Sequence, residues 1–183
     1  MDTAAKFRAR DLAYIAVFAA LMAVCTWIAV PTPWGVAYTL QTMAVFLAVG
    51  VLGGRRGTLA VLVYILMGAV GLPVFSGFRG GLGALLGATG GYIAGFLFSA
   101  LVLWALERFW RDRPAALVLS MVLGLAVCYV FGTVWFLHVY TQASGPVSVG
   151  TVLGWCVLPY IIPDLVKIAL ALLLSLRLRR HVK

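Results

Sequence analysis

The sequence predicts an all-α integral membrane protein, a bundle of six transmembrane helices with both termini in the cytoplasm. Three observations carry that prediction. Of 183 residues, 64% are hydrophobic and only 10% are charged, a balance foreign to soluble domains. Apolar stretches of bilayer-spanning length recur along the whole chain. The basic residues, which set a net charge of +9, gather between and beyond these stretches in a one-sided pattern.

The six spans run over roughly 11–30, 38–53, 57–73, 82–106, 114–138 and 150–176. The second and third are short for a hydrocarbon core of about 30 Å. Neighbouring loops are therefore expected to fold into the protein at membrane depth. Connections this short leave room for one domain, 1–183, and none for a soluble catalytic domain. Span one has no small-residue cleavage site after it and reads as a retained helix. It carries Ala16 and Ala20 four apart, with Ala19 and Ala23 beside them. Small residues at that spacing let helices approach closely in lipid, either inside the bundle or against another membrane protein.

Span four has a second stripe, Gly83, Gly87, Gly91 and Gly95, which reads as internal packing. It begins in Gly77-Phe-Arg-Gly-Gly-Leu-Gly. Glycine costs about 1 kcal/mol against alanine in a helix, so this run cannot be a continuous stable one. The segment from Gly71 to Tyr92 is thus expected to fold over or into the bundle from outside, as a lid or wall.

The charge map orients the chain. Lys6, Arg8 and Arg10 precede span one, and Arg55 and Arg56 join spans two and three. Arg108, Arg111 and Arg113 join four and five; Arg177, Arg179, Arg180 and Lys183 follow span six. These twelve of the fourteen Lys and Arg residues fall on one side of a six-span arrangement. The positive-inside rule makes that side cytoplasmic. Only Arg79 and Lys167 remain. The positive charge describes an orientation, and no nucleic-acid partner is expected.

Several chemistries are missing. A P-loop needs Gly-Lys-Ser/Thr, yet Lys6, Lys167 and Lys183 are the only lysines and none follows a glycine. Asp164 is the only membrane-embedded acid, Asp11 standing at the very start of span one, so there is no paired-carboxylate protease. His138 is the one non-terminal histidine and no G-x-S-x-G elbow is present, which leaves His138 as an interfacial residue beside Tyr140. Cys25, Cys128 and Cys156 lie in apolar spans without ligand spacing and read as small hydrophobes. No catalytic residue, no metal site and no cofactor are expected.

What is present points to binding. Asp164 and Lys167 stand in Tyr160-Ile-Ile-Pro-Asp-Leu-Val-Lys, inside the last span. A charge at membrane depth costs roughly 2.5–3.5 kcal/mol on insertion scales and calls for a partner and a purpose. Three apart on a helix, the two can neutralise each other. Gln41 opens the second span, and Thr89 and Tyr92 open the fourth. Phe75, Phe78 and Trp34 supply flat apolar surface in the outward loops. Arg79 and Gly80 of the glycine-rich loop, with Gly91 beside Tyr92, complete the candidate set; Arg79 alternatively meets lipid head groups or loop backbone. Pro159 and Pro163 are expected to break the helix above the charge pair, freeing carbonyls. Apolar walls with a few fixed polar groups compose a small-molecule site.

Taken together, these motifs resemble a known family. Gly54-Arg-Arg-Gly-Thr-Leu, Gly68-Ala-Val-Gly-Leu-Pro-Val-Phe, Gly77-Phe-Arg-Gly-Gly-Leu-Gly and Gly87-Ala-Thr-Gly-Gly-Tyr resemble BioY, the biotin-specific S component of energy-coupling factor (ECF) transporters. The resemblance extends to Tyr38-Thr-Leu-Gln-Thr-Met-Ala-Val-Phe-Leu-Ala and Ile162-Pro-Asp-Leu-Val-Lys, nearly the whole chain. One departure is Ala88, where the family usually has proline.

The resemblance implies a substrate-capture subunit of a bacterial or archaeal cytoplasmic membrane that binds biotin from outside. A transmembrane coupling protein and two ATP-binding cassette ATPases would drive uptake. It further implies that Ala16 and Ala20 face the coupling protein and that the bundle tilts to deliver its ligand. Biotin's ureido ring offers two N–H donors and a carbonyl, and its tail ends in a carboxylate. Asp164 can accept from an N–H and Lys167 can donate to either oxygen function; the sequence leaves open which end meets which residue. Two other readings stand beside this one: an S component for another vitamin, and an autonomous carrier using the buried pair as a proton relay.

Overall fold

The computed structural model describes residues 8–33, 36–111 and 113–182. Trp34, Lys6 and Lys183, which enter the expectations above, lie outside the described residues. The architecture is helical. Helix α1 spans Ala9–Trp27, and its Asp11 carboxylate accepts from the Arg8 backbone N–H at 3.1 Å. That contact closes the first turn and puts negative charge at the positive end of the helix. A two-residue strand pair, β1 (Ala29–Val30) and β2 (Tyr38–Thr39), returns the chain antiparallel, and Leu40 N–H donates to the Cys25 carbonyl at 3.1 Å.

Helix α2 (Gln41–Leu52) follows, with every residue but Met43 buried. A helix apolar all round belongs in the middle of a protein, and α2 packs against α1, α3 and α9. Its twelve residues reach about 18 Å, well short of a bilayer core. At Gly53 the chain turns with φ 84°, a left-handed value that suits glycine, and enters α3 (Gly54–Ala69).

After α3, Phe75 and Arg79 exchange backbone hydrogen bonds of 2.9 and 3.2 Å, making a tight loop. A short helix α4 (Leu82–Leu86) precedes α5 (Gly90–Ala105), so the expected fourth span is two pieces. The single-turn helix α6 (Glu107–Trp110) leads to α7 (Pro114–Ser144), which starts on a proline where no N–H is needed. Helix α8 (Val149–Cys156) is capped by Ser148 Oγ accepting from Thr151 N–H at 3.1 Å, and α9 (Leu158–Val182) ends the chain. Among the described residues three stretches, Ala9–Trp27, Pro114–Ser144 and Val149–Val182, are long and apolar enough to cross a membrane.

Two expectations need correction. The expected sixth span does break, but at Val157 and not at the prolines. Pro159 sits in the first turn of α9, where its missing N–H has no helical partner anyway. Pro163 lies inside a helix that continues through it. The acceptor it leaves unserved is the carbonyl of Pro159, one turn back, and Tyr38 Oη donates to that carbonyl at 3.3 Å. The glycine stripe also divides. A Cβ on Gly91 would run into Trp135, and one on Gly95 would meet Cys128, both on α7. Gly83 faces open space. Only the half on α5 packs.

One end of the bundle is charged. Asp11 pairs with Arg56 at 3.4 Å. The Arg179 guanidinium lies 4.6 Å from the buried Trp110 ring, donates from Nε to the Gly50 carbonyl and reaches the Arg111 carbonyl at 3.2 Å. The ends of α2, α6 and α9 are thereby joined. The opposite end holds the β pair, the 70–81 loop, α4 and α8, and the cavity lies beneath them.

Candidate small-molecule binding site

The site is built around α9. Lys167 Nζ donates to Asp164 Oδ1 at 2.7 Å, with Asp164 only 3% and Lys167 8% exposed. The second carboxylate oxygen, Oδ2, accepts from Tyr129 Oη of α7 at 2.6 Å. Each oxygen of the acid thus has one donor and retains acceptor capacity. The lysine has two further protons to offer. A buried ion pair of this kind is tolerated when its remaining polar capacity is used, and here that capacity opens on a cavity.

The cavity measures about 100 Å³; one water needs roughly 10–15 Å³ on the same measure, so a small organic molecule is the natural occupant. Gln41, Phe75, Arg79, Thr89, Tyr92, Asp164 and Lys167 all line it. Gln41 Nε2 donates to Tyr64 Oη at 2.8 Å. Tyr92 Oη and Thr133 Oγ1 share a hydrogen bond of 3.2 Å. Phe75 is fully buried, edge-on to Tyr64 with centroids 5.7 Å apart. Arg79, exposed to solvent, donates from Nε to the Ser76 carbonyl at 3.0 Å, which holds its guanidinium against its own loop.

Three candidates are not brought to the cavity. Phe78 is 65% exposed and stacks on Trp27 at 5.4 Å, outside the lining. Positive φ at Gly77 and at Phe78 itself, 73° and 55°, turns the chain between it and the buried Phe75, three residues back. Gly80 is pressed against the Leu72 carbonyl and has no room for a Cβ, so its work is in the loop's backbone. Gly91 packs under Trp135.

Other lining residues escaped the sequence reading. Tyr129 lies in an evenly apolar stretch of α7, with no local signal of an acid thirty-five residues ahead. Tyr160 donates to the Val36 carbonyl and stacks on Tyr38 at 4.3 Å; its place beside Asp164 in one helix was a usable hint. Cys128 and Cys156 pack as buried free thiols, as expected, and also face the cavity. Among the described residues no cluster of His, Cys, Asp or Glu is arranged to hold a metal.

On α1 the alanines separate. Ala19 and Ala23 are buried, whereas Ala16 and Ala20 lie exposed among Leu12, Val17 and Val24. Among the described residues nothing in the bundle covers this outer row, a smooth apolar strip.

An apolar helical bundle enclosing a charge-paired cavity at one end defines a membrane-embedded binding protein for a small polar molecule. The chain belongs to the BioY family, whose model matches residues 1–183. It is 41% identical over 172 residues to the biotin transporter BioY of Thermotoga maritima, covering 93% of this chain and 96% of that protein. It is 36% identical over 177 residues to the probable biotin transporter BioY of Pyrococcus horikoshii, covering 94% and 98%. Among solved structures, the S component for biotin from an ECF-type ABC transporter superposes with a TM-score of 0.81 at 27% identity, covering 93% of this chain and 91% of that one.

Proposed function

We propose that this protein is the biotin-capturing S component of an ECF-type vitamin uptake transporter. The observation that carries the proposal is the buried Lys167–Asp164–Tyr129 set on the wall of a cavity otherwise lined largely by apolar groups. Such a site suits a ligand with a compact polar ring and an apolar body. Asp164 and Gln41 serve the N–H donors of the ureido ring, Lys167 an oxygen, and Phe75 and Tyr92 the apolar surface. Thr89 and Arg79 guard the mouth, where Arg79 suits a carboxylate. Gly80 and Gly91 shape the backbone, and Phe78 is left outside this set.

The whole chain, 1–183, acts as one binding domain crossing the cytoplasmic membrane six times. Positive charge at the Arg56/Arg179 end makes that end cytoplasmic and the cavity end external. A coupling protein docks on the exposed Ala16/Ala20 strip of α1, where small side chains permit close helix approach. Two ATPases supply the energy. The test is direct: purified protein in nanodiscs is titrated with biotin, thiamine and riboflavin. Saturable binding of biotin alone supports the proposal, and preference for another vitamin refutes it.

A further inference from the structure

Gln41 can present either its oxygen or its NH2 group to a ligand, and the proton count around Tyr64 decides between them. Tyr64 is wholly buried on α3 and does not line the cavity. It has one hydroxyl proton. The Val74 carbonyl lies 3.0 Å from that hydroxyl and can only accept. Val74 is itself buried, and among the described residues no other donor meets its carbonyl. The proton therefore belongs to Val74, since turning it elsewhere strands a buried acceptor.

With its proton committed, Tyr64 Oη can only accept from Gln41, 2.8 Å away. Gln41 must then turn its NH2 toward Tyr64. Its Oε1, which meets no donor among the described residues, is left as the free acceptor on the cavity side. Thr26 Oγ1 of α1 lies 3.1 Å from the same phenol. With the Tyr64 proton on Val74, a hydrogen bond there has Thr26 as its donor, in competition with the Met22 carbonyl that Thr26 reaches at 2.6 Å. Either arrangement leaves Tyr64 Oη an acceptor.

We propose that Tyr64 is a positioning residue that fixes Gln41 as a hydrogen-bond acceptor facing the cavity, so that the site selects a ligand bearing an N–H donor there. The inference rests on the biotin-binding reading and deepens it, since it assigns a ureido N–H to Gln41.

The test uses nanodisc protein, biotin, and the two cyclic carbamates in which one ureido N–H is replaced by oxygen. These analogues keep the ring's shape and turn a donor into an acceptor. Wild-type protein should disfavour both carbamates, one opposing Asp164 and the other Gln41, and the one opposing Gln41 by about 10-fold or more, the effect of one hydrogen bond lost and an acceptor opposed. In Tyr64→Phe the amide is free to turn, and that ratio should fall to about 3-fold or less. A purely structural role for Tyr64 would weaken biotin and carbamate alike and leave the ratio unmoved, which overturns the proposal.

Should Tyr64→Phe not fold, the Gln41 variants decide. Gln41→Glu, which keeps an acceptor, should retain the discrimination, whereas Gln41→Leu should lose it. Equal behaviour of the two overturns the inference while biotin binding stands. Wild-type protein that does not bind biotin overturns the underlying reading, and this assignment with it.

Discussion

Tyr129 on α7 donates to Asp164 Oδ2 on α9 at 2.6 Å, while Lys167 holds the other oxygen at 2.7 Å. The acid is gripped from two helices. Its orientation is therefore set by how α7 packs on α9, and the lysine three residues on is only half of its environment. Tyr129→Phe should weaken biotin binding roughly 10-fold or more, because hydrogen bonds to charged groups contribute about 1.5–3 kcal/mol. Calorimetric titration of the variant checks this; unchanged affinity would show that the phenol only fills space.

Ion pairing and ligand binding can be separated at Asp164 and Lys167. Removing one partner of a buried pair costs about 3–5 kcal/mol, whereas replacing both with neutral groups of similar size is often tolerated. Asp164→Asn and Lys167→Met should each lower thermal stability. The double variant should recover much of that loss and still fail to bind biotin. Recovery of both properties would reduce the pair to a structural element.

The Pro163 gap gives a double-mutant cycle. Tyr38→Phe keeps the stacking on Tyr160 and deletes the donor to the Pro159 carbonyl. It should cost about 0.5–1.5 kcal/mol in the native background. With Pro163→Ala already present, residue 163 regains an N–H for that carbonyl, and Tyr38→Phe should cost little. Additive effects in denaturation would place the worth of Tyr38 elsewhere.

The two halves of the glycine stripe should respond oppositely. Gly95→Val forces carbon against Cys128, including its backbone, and should destabilise by about 1–3 kcal/mol. Gly83→Ala adds a methyl group in open space within a helix, and should be neutral or stabilising by roughly 0.5–1 kcal/mol. Thermal shifts of the two purified variants distinguish them.

Ala16→Trp places a large ring on the exposed face of α1, far from the cavity lining. Biotin affinity of the isolated protein should stay within about 2-fold, an energy under 0.5 kcal/mol. Uptake by cells that supply the coupling protein and ATPases should fall sharply. Uptake at the native rate would move the docking surface off this strip.

Much of this protein was legible in its sequence. The helical membrane class follows from hydropathy, because lipid leaves backbone polar groups no partner outside helices or closed barrels. Asp164 and Lys167 announced themselves for the same reason: a charge in an apolar run is expensive, and the expense is visible without coordinates. Gln41, Thr89 and Tyr92 were found as polar groups at the openings of spans, and all three line the cavity.

Tertiary structure alone decided the rest. Tyr129 and Tyr64 are ordinary aromatic residues in apolar helices until α7 meets α9 and the 70–81 loop meets α3. Their hydrogen bonds span 35, 23 and 10 residues of chain, and no local pattern encodes such a meeting. Phe75 and Phe78 look equivalent in the sequence, yet in a turn with positive φ at both Gly77 and Phe78 the first is buried and the second exposed. Ala16 and Ala19 differ only in which way the helix turns toward its neighbours. Hydropathy reports the cost of placing a residue in lipid, which each residue carries alone. Partner, orientation and side of a helix are properties of pairs, and pairs exist only once the chain has packed.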